Sequence, residues 1–81
     1  MQIEEVIKQV NDIFRRELDN DDIVIGYETT ANDVEEWDSL SHIMLVVAIE
    51  KHFKIRFTSG EIQSFKNGGE MCEAILKKIP A

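Results

Sequence analysis

The sequence predicts an all-α fold, a four-helix bundle of three main antiparallel helices and one short helix, with a long first loop. Apolar residues recur at helical spacing in three separate segments. The run Ile23-Val24-Ile25 is strand-like, but no second such run is present to pair with it. The 81 residues, 43% hydrophobic and 31% charged, predict one small globular domain spanning 1–81.

The first helix follows from an apolar stripe near the N-terminus. Charged residues such as Glu4 and Lys8 fall on the opposite side, as in an amphipathic helix. The pattern ends at Asp19-Asn20-Asp21-Asp22, whose side chains favour turns and caps over helix interiors. The stripe comprises Ile3, Val6, Ile7, Val10, Ile13, Phe14 and Leu18.

A connector without helical period runs from Asp19 to Trp37. Loops longer than about 12–15 residues without secondary structure are uncommon in compact domains and are often functional. The connector is therefore a region of functional interest. We interpret its apolar residues as anchors that hold it on the helical core, namely Ile23, Val24, Ile25, Tyr27, Val34 and Trp37.

The second helix is predicted to begin at Asp38 or Ser39, with Asp38 as the N-cap, and to end near Phe53. At about 100° per residue it carries two apolar stripes. The stripe predicted to face the core comprises Leu45, Val46, Ile49 and Phe53. The stripe predicted to be partly exposed runs into Lys51 and comprises Leu40, Ile43, Met44 and Val47. An exposed apolar face near a helix start typically marks an interaction site, whereas the alternative is a helix buried on two sides.

Two further helices are predicted in the C-terminal third. Thr58-Ser59-Gly60 predicts a turn, and the segment from Glu61 to Phe65 predicts one short helical turn. Asn67 followed by Glu70 is typical of a variant capping box. This box would open a last helix, ended by Pro80, that contains Met71, Cys72, Ile75, Leu76 and Ile79.

The net charge of −7, from 16 acidic and 9 basic residues, disfavours nucleic acid and anionic membranes and favours partners with basic surfaces. Cys72 is the only cysteine, so no intramolecular disulfide and no cysteine metal site are encoded. Neither a secretory signal pattern nor an apolar run of the roughly 20 residues that span a bilayer is present. We therefore expect a cytoplasmic monomer without a metal site that binds neither nucleic acid nor membranes.

Asp38-Ser39-Leu40 stands at the end of the acidic connector and at the start of the second helix. In that setting it resembles the Asp-Ser-Leu attachment motif of acyl and peptidyl carrier proteins. The resemblance covers essentially the whole chain, from the order of the helices to Glu50, Phe53 and the following Ile55-Arg56-Phe57. By this resemblance the chain is similar to a free-standing acyl carrier protein.

The resemblance implies a carrier and not an enzyme. A phosphopantetheinyl transferase would move 4′-phosphopantetheine from coenzyme A onto the Ser39 hydroxyl, beside the positive end of the helix dipole. The terminal thiol would hold an acyl group as a thioester for acyl-activating or acyl-transferring enzymes of fatty-acid, polyketide or related biosynthesis. Asp38 would cap the helix and present Ser39, and Leu40 would begin a partner-binding face of Leu40, Ile43, Met44, Val47 and Lys51.

The chain departs from the pattern of fatty-acid carriers in several places. Those carriers usually have Gly three residues before the serine, where this chain has Glu36. They also carry acidic residues on the second helix where this chain has Ser41, Met44 and Lys51. Trp37, just before the motif, resembles the residue at that place in carriers of specialised pathways, including D-alanyl, sugar-modifying and polyketide-type systems. By the resemblance, these departures count against membership in the general fatty-acid pathway, and they leave the Ser39 attachment site unchanged.

Other functions remain as alternatives. Within the family the alternative is an aminoacyl or peptidyl carrier, including a D-alanyl carrier, and outside it an unmodified helical adaptor module. Asp38, Ser39 and His42 invite a hydrolase interpretation, but neighbouring side chains diverge by about 100° on a helix and no nucleophile elbow is present. We expect His42 to lie at the boundary of the helix packing and Cys72 to lie in the core. The acidic run from Asp19 to Asp22 lacks the ligand spacing of a calcium-binding EF-hand.

Overall fold

The computed structural model describes residues 2–79 and contains, within that range, four helices and no strand. The predicted all-α class and the predicted order of three long helices and one short helix are confirmed. The prediction that Pro80 ends the last helix lies outside the described residues. The helices are α1 (Ile3–Glu17), α2 (Ser39–Phe53), α3 (Ser59–Ser64) and α4 (Gly68–Lys78).

Helix α1 packs against both α2 and α4 and lines the centre of the core. The predicted core stripe of α2 is buried, and Cys72 of α4 is fully buried, as predicted. Burying a large aliphatic or aromatic side chain contributes about 1.5–3 kcal/mol, so these contacts hold the helices together. The core cluster includes Val6, Val10, Ile13 and Phe14 of α1, Leu45 and Ile49 of α2, and Met71, Cys72 and Ile75 of α4.

The long first loop is held to α1 by side chains that take the place of a partner strand. The Asn11 side chain accepts a hydrogen bond from the Ile25 N–H at 2.7 Å and donates one to the Ile25 carbonyl at 2.8 Å. The Arg15 Nε–H donates to the Ile23 carbonyl at 2.7 Å. Buried backbone groups require such partners. The strand-like run is thus a single extended segment, and side chains of α1 form hydrogen bonds with its backbone groups.

Two of the six predicted loop anchors are wrong. Ile23, Ile25, Val34 and Trp37 are buried as predicted, whereas Val24 is 70% exposed and Tyr27 is 46% exposed. Successive side chains of an extended segment point to opposite sides, so burial of Ile23 and Ile25 turns Val24 toward solvent. The Tyr27 ring instead lies beside Gly69, where an added Cβ would be 2.5 Å from the ring.

At the start of α4 the backbone of the loop contacts the backbone of a helix directly. The N–H groups of Gly68 and Gly69 donate to the carbonyls of Thr29 and Tyr27, both at 2.7 Å. A Cβ on Gly68 would lie 2.6 Å from the Gly26 carbonyl oxygen, and one on Gly69 would lie 2.5 Å from the Tyr27 carbonyl oxygen. Only glycine permits this backbone approach.

Helix α3 begins earlier than predicted. Ser59 and Gly60, predicted as part of a turn, form its first turn because Thr58 and Glu61 make a capping box. The Thr58 N–H donates to Glu61 Oε1 at 2.9 Å, and the Glu61 N–H donates to Thr58 Oγ1 at 3.2 Å. At α4 half of the predicted box is present, since the Asn67 side chain accepts from the Glu70 N–H at 2.8 Å.

Candidate functional site

A reciprocal capping box fixes the start of α2. Asp38 Oδ1 accepts hydrogen bonds from the N–H of Leu40 at 3.0 Å and of Ser41 at 2.8 Å. In return, Ser41 Oγ accepts the Asp38 N–H at 2.9 Å and donates to the Glu36 carbonyl at 2.7 Å. The Ser41 N–H is the main cause that lowers the pKa of the Asp38 carboxyl below its ordinary value of 3.8. Asp38 is therefore an ionised cap at neutral pH.

Ser39 is the first residue of α2, and its side chain is exposed. The residues on either side of it form the box, and nothing between residues 2 and 79 forms a hydrogen bond with the Ser39 hydroxyl. The first N–H groups of a helix lack intrahelical acceptors, and the Ser39 N–H likewise has no acceptor in that range. Ser39 thus offers a free hydroxyl beside a free N–H at the positive end of a helix.

A largely apolar groove of about 410 Å³ opens beside Ser39. The start of α2 forms one wall, and α3 with the residues after it forms the other. An extended group attached at Ser39 would have an apolar surface to lie against. The lining residues are Ala31, Trp37, Asp38, Ser39, His42, Ile43, Ile62, Gln63, Phe65 and Lys66.

His42 joins the loop, α2 and α3 at the base of this groove. The indole N–H of Trp37 donates to His42 Nδ1 at 3.1 Å, and His42 Nε2 lies 3.0 Å from the Ile62 carbonyl oxygen. Because an indole N–H only donates, Nδ1 must accept, and the ring proton lies on Nε2, which donates to Ile62. His42 also stacks on Trp37, with ring centroids 6.1 Å apart. It therefore bridges elements at the edge of the core, where the sequence predicted a helix-boundary histidine.

The hydrolase alternative has no geometric support in this arrangement. Both nitrogens of His42 are engaged by Trp37 and Ile62, so neither is directed at the Ser39 hydroxyl. The carboxylate of Asp38 accepts backbone N–H groups instead of orienting an imidazole. A serine nucleophile needs a base within hydrogen-bond reach that a third group orients. Ser39 lacks both.

The second apolar stripe of α2 is exposed, as the sequence predicted. Its members are 42–83% exposed, and Leu40, next to Ser39, is the most exposed of them. The stripe comprises Leu40, Ile43, Met44 and Val47, and we call it the apolar face. The alternative, a helix buried on two sides, is therefore wrong. Lys51 follows the apolar face one turn later and is also exposed.

Other candidate chemistry is not assembled in the described part of the chain. Burial raises the pKa of the Cys72 thiol to about 12, so the thiol is protonated at neutral pH and is a poor nucleophile. Across residues 2–79, no three His, Cys, Asp or Glu side chains come together to hold a metal ion. No helix in the same range has the length and apolar character needed to cross a bilayer.

Sequence reasoning missed several residues that shape this site. Ser41 closes the capping box, although the sequence marks it only as a departure from the pattern of fatty-acid carriers. The bridge from Trp37 through His42 to Ile62 has no sequence signal, because its members come from three elements. Outside the groove, the Gly68-Gly69 pair is the sequence signal for the close backbone approach at the start of α4.

The comparisons with known proteins agree with this geometry. No protein-family model and no curated protein matches the chain. Among solved structures, the chain is similar to a holo acyl carrier protein from Geobacter metallireducens, with 45% sequence identity and a TM-score of 0.84. The match covers 90% of this chain and 84% of that protein. Identity at this level over nearly the whole chain, together with the same helical fold, shows that the chain belongs to the acyl carrier protein family.

Proposed function

We propose that Ser39 is the single attachment site for 4′-phosphopantetheine, and that residues 1–81 act as one carrier domain. The observation that carries this proposal is the exposed Ser39 hydroxyl, free of hydrogen bonds within residues 2–79, at the first residue of α2. The similar solved structure is described as a holo protein, which supports a prosthetic group here as well. A phosphopantetheinyl transferase and coenzyme A are the implied partner and donor.

The residues around Ser39 fit such a group. A phosphodiester on the hydroxyl would lie beside the free Ser39 N–H at the helix start, where anions are favoured. The groove bordered by Trp37, Ile43 and Phe65 gives a flexible chain an apolar surface. Leu40 begins the surface that partners approach, and Asp38 holds the backbone that presents Ser39. When attached, the arm supplies a thiol that holds an acyl group as a thioester.

The cargo we propose is an acyl group of a specialised biosynthetic pathway, with an aminoacyl group such as D-alanine as the alternative. Trp37 before the motif and the absence of acidic residues at Met44 and Lys51 support a specialised pathway. Acyl-activating or acyl-transferring enzymes would supply and remove the cargo. Intact-mass analysis of the protein purified from its own host reports the arm and the cargo together. A mass shift that matches an amino acid would favour the aminoacyl alternative.

Attachment is tested by incubating the protein with coenzyme A, magnesium and a broad-specificity phosphopantetheinyl transferase. We expect one phosphopantetheine per chain by intact mass, and none on Ser39→Ala. Ser59→Ala is the matched control, because Ser59 is also the exposed first residue of a helix behind an N-cap. An unmodified wild type, or a Ser39→Ala variant that still gains mass, would point to an unmodified adaptor or to another site.

A further inference from the structure

The apolar face of α2 continues into a cluster of positive charge. Lys51, Lys54 and Arg56 are all exposed, and no acidic residue lies between residues 51 and 56. Lys51 borders a groove of about 670 Å³ together with Met44 and Val47. With Lys54 and Arg56 it also lines an adjoining groove of about 530 Å³, which Val47 shares. We call Lys51, Lys54 and Arg56 the basic end of α2.

The carboxylates that border these two grooves are engaged elsewhere. Glu17 pairs with Arg16 at 3.3 Å, and Glu50 accepts the Phe57 N–H at 2.7 Å. Glu17 borders the first groove and Glu50 borders the second, so they are the obvious counter-charges. Within residues 2–79, no ion pair involves any member of the basic end. These three cations are therefore open to an external anion.

The opposite end of the apolar face is acidic. The segment from Asp19 to Asp38 contains eight acidic residues and neither lysine nor arginine. At 1.5 Å of rise per residue, Lys51 lies about 18 Å along α2 from Ser39. The helix dipole favours a cation in the last turn, as at Lys51, but it does not account for Arg56, three residues beyond the helix. The exposed surface of α2 thus has an acidic end and a basic end, with the apolar face between them.

Resting on the carrier function proposed above, we propose that the cognate acyl-transferring enzyme docks through a surface of matching polarity. The enzyme's surface would have an apolar centre that contacts Met44 and Val47, and acidic side chains that face the basic end. Charge complementarity fixes the orientation of a complex and rejects partners with like charge. Pairing at the basic end would anchor the part of α2 far from Ser39 and leave Ser39 directed at the enzyme's active-site entrance.

The charge of the whole chain favours this occupant over an anionic bilayer. A net charge of −7 repels an extended anionic surface, whereas a folded partner can confine its acidic residues to the basic end. Enzymes that bind a carrier through arginine and lysine along its second helix would meet repulsion here. The polarity of the docking surface is therefore a determinant of partner choice.

The test compares two double charge reversals of the holo-protein that carry the same net charge. Lys51→Glu/Arg56→Glu alters the basic end, and Lys8→Glu/Lys77→Glu is the matched control on α1 and α4. Lys8 and Lys77 are exposed, and Lys77, like Lys51, lies in the last turn of its helix. The probe is the acyl-transferring enzyme purified from the host by following acylation of the holo-protein by intact mass.

We expect kcat/KM of that enzyme to fall at least about tenfold with Lys51→Glu/Arg56→Glu and less than about threefold with the control. The difference should shrink at about 1 M salt, where the Debye length is about 3 Å. Lys51→Gln/Arg56→Gln should give a smaller loss in the same direction and serves if the reversal unfolds the protein. Circular dichroism checks folding of all variants.

Equal kcat/KM for the basic-end reversal and the control, or a gain with the basic-end reversal, would overturn the proposal. Vesicles of equal parts phosphatidylglycerol and phosphatidylcholine test the membrane alternative. The proposal would also be overturned if wild type binds these vesicles, the basic-end reversal abolishes that binding, and kcat/KM of the enzyme is unchanged. Failure of Ser39 modification would instead contradict the carrier function. Each variant is checked for phosphopantetheine before the kinetic measurement, so the two failures are distinguishable.

Discussion

The Ser39 hydroxyl has no hydrogen-bond partner among residues 2–79, because its neighbours bond to one another instead. Asp38 accepts the N–H of Leu40 and Ser41, and the Ser41 hydroxyl bonds to the backbone of Asp38 and Glu36. A hydroxyl bound in this network would have to break those bonds before it could react. A rigid first turn with one uncommitted hydroxyl is therefore well suited to covalent modification by an external enzyme.

His42 connects Trp37 and Ile62, two other residues that line the groove beside Ser39. Trp37 is 4% exposed, and its indole N–H has His42 Nδ1 as its acceptor. Removing the acceptor leaves a buried donor unsatisfied, which costs about 1–3 kcal/mol. The aromatic contacts of His42 with Trp37 and Phe65 keep the ring in place.

We predict that His42→Phe, which retains a ring, lowers the free energy of unfolding by about 1–3 kcal/mol. His42→Gln, which supplies both an acceptor and a donor, should recover part of the loss. Urea unfolding followed by tryptophan fluorescence reports on this site, because Trp37 is the only tryptophan. His52→Phe serves as the control, because the hydrogen bond of His52 with Gln9 Oε1 at 2.7 Å is exposed and water can replace it. This change should alter stability by less than about 0.5 kcal/mol. A His42→Phe variant as stable as wild type would contradict the role of the bridge.

At the scale of whole elements, α2 serves the core and a partner at the same time. Leu45, Val46, Ile49 and Phe53 pack inward, and the apolar face points away from the core. A helix used only for folding needs one apolar stripe, so the second stripe is surplus to stability. Changes on the apolar face should therefore separate partner binding from folding.

Met44→Glu is predicted to leave the fold intact and to reduce loading or transfer by the cognate enzyme sharply. Met44 is 44% exposed, so a carboxylate there remains hydrated. Burying a methionine against a partner contributes about 1.5–3 kcal/mol, more than the 0.2–1 kcal/mol of an exposed ion pair. Steady-state kinetics measure the loss, and circular dichroism checks the fold.

Met44→Glu combined with Lys51→Glu should improve recognition by enzymes of fatty-acid synthesis, since it restores acidic positions of their carriers. Kinetics on both enzyme sets distinguish a change of partner from a general loss of activity. Unfolding of Met44→Glu would show that Met44 belongs to the core and would reverse the assignment of the two stripes.

The contact between the loop and α4 is the second element-scale feature, and it tests why glycine occupies the start of α4. We predict that Gly69→Ala destabilises the protein by about 1–3 kcal/mol, because the new Cβ would lie 2.5 Å from Tyr27 atoms. Gly60→Ala is the control, since its Cβ would meet nothing closer than Thr58 Oγ1 at 4.0 Å. That change should stabilise by about 0.4–1 kcal/mol by restricting the unfolded chain. Urea midpoints that move in the same direction would refute this account of the loop contact.

At the scale of the whole molecule, the uneven distribution of charge is the dominant electrostatic feature. Eight of the 16 acidic residues lie between Asp19 and Asp38, where no lysine or arginine compensates them. Most of these side chains are exposed, and folding brings the loop that carries them close to the start of α2. Self-repulsion therefore opposes the folded state when the solution contains little salt.

Moderate salt, or millimolar divalent cation, is predicted to raise the melting temperature. At 0.1 M ionic strength the Debye length is about 10 Å, which screens repulsion between the acidic residues of the loop. Melting is followed by circular dichroism over a salt series. A charge-neutral additive at the same osmolarity controls for solvent effects unrelated to charge, and a melting temperature that is flat or falls with salt contradicts the prediction.

The sequence by itself determined the features that depend on neighbouring residues. Helix period defined α1 and both stripes of α2, and the Asp38 cap defined where α2 begins. These features are predictable because a periodic pattern or a cap acts within one or two turns of the chain. The exposure of the apolar face followed from the same pattern, because Lys51 continues that stripe into solvent.

Only the tertiary structure decided which distant residues meet. Three sets of contacts join separate elements. They are the hydrogen bonds of Asn11 with Ile25, the bridge from Trp37 through His42 to Ile62, and the contact of the loop with Gly68 and Gly69. The exposure of Val24 and Tyr27 was likewise set by which side of the loop faces α1 and α4. Such contacts depend on how the helices pack, and packing brings together residues that no local pattern relates.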